Sequence, residues 1–135
     1  MIKKLAFIVR SLPYKNEATR LALTHAIASQ TVEIYLEDGD NVEPFLALVG
    51  DGVLCGLKNQ SNKCYGITTM EQHITNALLL DLNVYYCKED LERFGISEDQ
   101  LVMDAESLGG DMKASIVPFS EIQAAMEAAD HLQIF

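Results

Sequence analysis

The chain is short of cations, of cysteine and of long apolar runs, and each shortage excludes something. Lys and Arg number 10 against 20 Asp and Glu, giving a net charge of -10 and a pI near 4.6. Nucleic-acid binding needs clustered Lys and Arg to neutralise phosphates, and anionic membrane surfaces attract basic segments. The charge balance therefore argues against nucleic acid and membrane as partners. It permits docking to a basic protein, although solubility alone is the simpler account of it. The cysteines number 3, so they cannot all pair within the chain. No segment approaches the roughly 18 apolar residues of a membrane span. The opening MIKKLAFIVRSLPY has a basic and then an apolar part, but Arg10 interrupts its apolar run. Leu5 to Val9 is also shorter than a signal-peptide core of about 7–15 residues. The expectation is a cytoplasmic protein with reduced thiols.

Several motifs are missing too. The first apolar run is followed by RSLPYKN, where a dinucleotide site would carry G-x-G-x-x-G. A phosphate or flavin loop would place glycines or a Ser/Thr cluster there, and a phospho-receiver would place acids where Arg10 stands. There is no C-x-x-C. Cys55, Cys64, Cys87 and His73 lack the close ligand pairs of a zinc site. Asp38-Gly39-Asp40 lacks the rest of a calcium loop and reads as a solvated turn. Neither cofactor nor metal is expected. His25 and His73 fall on helical segments and read as packing or surface residues rather than catalytic bases.

What is present is an ordinary soluble composition, 49% hydrophobic and 22% charged, over 135 residues. That is the length of one domain, residues 1–135. Leu5 to Val9 is a continuous apolar run, as in a strand buried on both faces. Asn16 then caps a helix with Ala18, Leu21, Ala22 and His25 at helical spacing. Thr31 to Leu36 alternates and reads as the second strand, completing a βαβ unit. Pro44 begins a short helix through Phe45, Leu46, Leu48 and Val49. Residues 50–66 read as an irregular loop in which Cys55 and Cys64 could resolve a disulfide with Cys87.

Thr68 or Thr69 caps a helix that buries Ile74, Ala77 and Leu78. Leu101 to Met103 reads as a short strand ending at Asp104, and residues 105–115 as a loop. Ser97 with Gln100, and Ser120 with Gln123, have capping-box spacing; the second pair opens a helix through Ile122, Ala125, Met126 and Ala129. His131 to Phe135 is a closing strand. Strands and helices in alternation predict an α/β domain, a three-layer α/β/α arrangement with a mostly parallel sheet of about five strands.

Ligands of such a sheet bind beyond the carboxyl ends of its strands. Those predicted ends carry Arg10-Ser11, Asp38-Gly39-Asp40, Cys87-Lys88 and Asp104. Cys87 is the nucleophile among them. It sits in NVYYCKEDLERFG, where an apolar run gives way to a charged helix closed by Gly95. A sulfur at a helix start meets open amides and the positive end of the dipole, which favour thiolate. Lys88 would add to this, while Glu89 and Asp90 oppose it. A buried structural cysteine is the competing reading, since free cysteine is among the most buried residue types.

Four pieces in order then resemble one family. They are KKLAFIVRSLPY, VEIYLEDGDNV, YYCKEDLERFGI and AADHLQIF. Together they resemble the DsrE/DsrF (TusD/TusC) family of small sulfur-relay proteins, nearly end to end. The resemblance implies a parallel-sheet α/β/α fold and homo- or hetero-oligomers with paralogous subunits. It also implies that Cys87, at the position of the family's sulfur-accepting cysteine, takes sulfane sulfur as a persulfide from a donor and passes it to an acceptor protein. Lys88, Glu89 and Asp90 depart from the small apolar residues that follow that cysteine in the accepting subunit. They are nearer the partner-subunit branch, which implies the alternative of a non-catalytic structural subunit.

Overall fold

The computed structural model describes residues 2–31, 41–61 and 68–135. Five strands form one sheet: β1 (Ile2–Val9), β2 (Asn41–Leu48), β3 (Asn83–Cys87), β4 (Ser115–Val117) and β5 (His131–Ile134). Their order is β4-β3-β2-β1-β5, and every neighbouring pair is parallel. The helices are α1 (Ala18–Thr31), α2 (Met70–Leu79), α3 (Lys88–Phe94) and α4 (Phe119–Ala128).

Successive strand residues point to opposite faces, and β3 shows which helices cover which face. Tyr85 faces α4, lining a hollow with Val117, Ile122 and Ala125. Tyr86 faces the other way, against Gly56, and its hydroxyl donates to the Val102 carbonyl at 2.7 Å. On that side the 3-10 helix Gly50–Gly56 packs on α2, and α2 packs on α1. The sheet thus lies between two helical layers. Its centre is fully buried: Val9, Leu46, Ala47, Leu48 and Tyr86 are all 0% exposed.

Local signals place several ends as expected. Asn16 Oδ1 accepts from the Ala18 amide at 2.8 Å, and Thr69 Oγ1 from the Gln72 amide at 3.1 Å. Gly95 closes α3 at φ 68°, in the left-handed region that glycine tolerates.

Four expectations are corrected. The segment from Pro44 to Leu48 is strand, not helix: Ala6 to Val9 lie in register with Phe45 to Leu48, which β3 flanks on the other side. A short apolar run buried on both faces has no periodicity to tell it from a helix. Pro44 fits because β3 pairing begins one residue later, at Phe45. Of the predicted strand Thr31–Leu36, Thr31 ends α1 and residues 32–36 lie outside the described residues, as does Asp38-Gly39-Asp40.

Second, Leu101 to Met103 is not a sheet strand. Leu101 makes an isolated antiparallel bridge to Leu57 and Asp104 one to Lys113, while the sheet's fourth strand is Ser115–Val117. Third, residues 50–56 are a buried 3-10 helix rather than an irregular loop. Its glycines permit close approach, since a Cβ at Gly52 would lie 2.1 Å from the Val9 carbonyl oxygen and one at Gly56 2.3 Å from the Tyr86 ring. Fourth, α4 has no Ser120–Gln123 capping box. Its first amide, Phe119 N–H, donates instead to the Glu89 carboxylate at 2.9 Å.

Candidate functional site

The site is built where β2 and β3 end side by side. Cys87 is the last residue of β3 and the N-cap of α3, as its place between apolar run and charged helix predicts. Its partner in β4 is Val117, and the residue is 1% exposed. Three residues on, Asp90 lies in the first turn of α3. Asp90 Oδ2 accepts the Gly50 amide at 2.6 Å, just beyond the end of β2. Its charge is one of the influences on the Cys87 thiol three residues before it. Its other oxygen lies 3.5 Å from Arg93, whose guanidinium is 3.9 Å from Asp51. Glu89, next to Asp90, holds the start of α4 through Phe119.

This geometry favours the protonated thiol, the opposite of the thiolate expected from a helix start. Burial pushes the Cys87 thiol up to about 11, and the Asp90 carboxylate and the Glu89 charge add to it. One amide of the first turn, Asp90 N–H, pulls the other way and is outweighed. Burial would raise the Asp90 carboxyl, but the Gly50 amide, the Cys87 thiol and Arg93 together hold it below its ordinary value. Asp90 is therefore a carboxylate at neutral pH, and the thiol keeps its proton.

The other sequence candidates lie apart from this cluster. Cys55 is in the 3-10 helix at 0% exposure, a free thiol that burial pushes up to about 12. Cys87 is likewise a free thiol, and Cys64 lies outside the described residues. His25 stacks on Phe135 with ring centroids 6.2 Å apart. His73 has a buried Nε2 with no partner, and burial, followed by the Arg20 charge, lowers its pKa. Arg10, Lys15 and Asp51 line a cleft of about 300 Å³ beyond β1, which Cys87 does not line. Among the described residues no group of three His, Cys, Asp or Glu could hold a metal ion. No helix among them is long and apolar enough to cross a membrane.

Residues 3–133 match the model of the DsrE/DsrF-like family. The chain belongs to that family. Its members are generally related to sulfur relay. No curated protein matches the chain. Among solved structures it is similar to the ychN protein from E. coli, at 23% identity and a TM-score of 0.72 over 100% of both chains. It is also similar to MTH1491 from Methanobacterium thermoautotrophicum, titled a protein of unknown function, at 12% identity and a TM-score of 0.55 over 97% of this chain and 99% of that one. At these identities the two likenesses show the fold alone.

The sequence places Cys87 at a strand-to-helix junction, as observed, but does not show the long-range contacts of Asp90 with Gly50 and of Glu89 with Phe119. Asp90 reaches a residue 40 positions away and Glu89 one 30 positions away. The nearest signal was the pair of acids directly after the cysteine, where a helix N-terminus accepts them for reasons of its own.

Proposed function

We propose that this DsrE/DsrF-like protein is a sulfur-relay component in which Cys87 carries sulfane sulfur as a persulfide and hands it to an acceptor thiol. The observation that carries this reading is the position of Cys87. It ends a central strand of a family sheet and opens a helix, at the carboxyl edge where such sheets work. In loading, Cys87 Sγ bonds to the outer sulfur of a donor persulfide and the donor's S–S bond breaks. The Cys87 proton ends on the departing donor sulfur. Delivery repeats the exchange on the acceptor thiol, and neither step consumes an oxidant or reductant.

The working state is an oligomer of this chain with itself or with paralogous subunits, in the reducing cytoplasm. Its support is β5, an edge strand whose Leu132 and Ile134 are 43% and 53% exposed. Incubation of the reduced protein with glutathione persulfide, followed by intact mass, tests the relay. One added sulfur is expected, reversible by reductant and absent in Cys87→Ser. Equal loading of the mutant sinks the assignment.

A second reading is favoured by one observation: the burial of Cys87 beside two acids. In it the chain is a non-catalytic subunit and Cys87 a packing residue. A native protein that gains no sulfur while folded and assembled would support it.

A further inference from the structure

We infer that the cleft at the carboxyl end of β1 is an anion site for a doubly charged oxyanion, either the phosphate ion or the phosphate group of a small molecule. The site is independent of the relay reading, since Cys87 does not line the cleft. The cleft holds about 300 Å³, at the lower end of the roughly 300–1,000 Å³ of small-molecule sites. It lies beyond a strand's carboxyl end, where parallel sheets take their ligands. Arg10 and Lys15 line it together with Ser11 and Asn16. Asn16 uses its Oδ1 on the Ala18 amide, which leaves its side-chain N–H groups to donate. All four side chains therefore carry donors.

The charge balance singles out this cleft. The chain has 10 cations against 20 acids, yet two of those cations converge here. Among the described residues neither makes an ion pair, whereas Arg20, Arg93 and Lys113 each do. Asp51, the acid on the wall, has Arg93 at 3.9 Å, and Glu17, just past Asn16, accepts from Arg20. The cleft keeps a positive surplus in a chain of net charge -10. A bound dianion would offset the repulsion between Arg10 and Lys15.

The loop that carries these cations is also held in place. Tyr14, next to Lys15, has φ 66°, a left-handed backbone that bulky residues rarely adopt. Its hydroxyl accepts the Met70 amide at 2.8 Å and bonds to Gln60 Oε1. At the other end of the loop the Arg10 amide donates to the Phe135 carbonyl at 2.9 Å. A site fixed in advance loses less freedom on binding. With no glycine loop after β1, side chains rather than backbone amides grip the anion, and the planar fork of Arg10 suits two oxygens of one phosphate.

The test is a titration of the whole chain with sodium phosphate at pH 7.5, with ionic strength held constant by sodium chloride. The amide resonances of Arg10, Ser11, Lys15 and Asn16 report binding. Saturable shifts confined to this loop are expected. Arg10→Gln and Lys15→Gln should each weaken binding about tenfold, and the double variant should abolish it. Both positions are exposed, and the native amide spectrum checks that each variant is folded. Shifts that do not saturate, or that both variants leave unchanged, overturn the site. Glycerol 3-phosphate in a second arm separates the two sources. Tighter binding than phosphate assigns a small phosphorylated molecule, and equal or weaker binding assigns the free ion.

Discussion

Cys55 and Cys87 are both buried free thiols held above the ordinary cysteine value, yet the two regions achieve this differently. Cys55 sits in a 3-10 helix whose glycines press on Val9 and Tyr86, and burial is the cause that raises its thiol. At Cys87 burial is joined by Asp90 and Glu89. Packing cannot be withdrawn without disturbing the core, whereas a partly exposed carboxylate can be neutralised or displaced. The comparison separates a thiol raised by packing from one raised by packing and neighbouring charge.

The largest effect is expected on the Cys55 side. Gly52→Ala puts a Cβ against the Val9 backbone, where no flexible side chain can yield. A loss of about 3 kcal/mol is expected by urea unfolding, and an alanine tolerated at no cost would show that the 3-10 helix is loosely held. Next comes serine at each cysteine. Cys55→Ser buries a hydroxyl among apolar neighbours and should cost about 2 kcal/mol. Cys87→Ser should cost less, about 1 kcal/mol, because its hydroxyl takes the N-cap position of α3, which serine suits. Equal costs would erase the distinction between the two sites.

Alkaline pH gives the third contrast. Each folded thiol has its value raised from 9.0, Cys87 to about 11 and Cys55 to about 12. Above pH 9 the unfolded thiol loses its proton while the folded one keeps it, so stability present below pH 9 falls as pH rises. Each thiol contributes a slope of about 1.4 kcal/mol per pH unit. The Cys87 share ends near pH 11 and the Cys55 share near pH 12. Stability curves of the two serine variants should separate these windows; coincident curves would contradict the assignment. The smallest effect belongs to Glu89→Ala, which removes the carboxylate at the start of α4. A cost of about 0.5 kcal/mol is expected in the same unfolding assay, with none pointing to solvent as an equal cap.

Where the chain's own neighbours decide the outcome, the sequence was readable. Asn16, Thr69 and Gly95 bond or bend within a few residues of themselves, and Leu5 to Val9 is too apolar to lie anywhere but inside. The same kind of run misled at Phe45 to Leu48, because burial on both faces hides the period that separates strand from helix. Val102 was read as strand for its apolar character, yet its backbone bonds go to Gly56 and the Tyr86 hydroxyl.

The candidate site divides along the same line. The sequence by itself determined that Cys87 ends a strand and starts a helix, because β-branched and aromatic residues before it and charged helix formers after it are local preferences. Only the tertiary structure decided what state that sulfur is in. Gly50 and Asp90 meet because β2 and β3 pair side by side, and the protonation of Cys87 follows from burial and charge at that junction rather than from the order of residues around it.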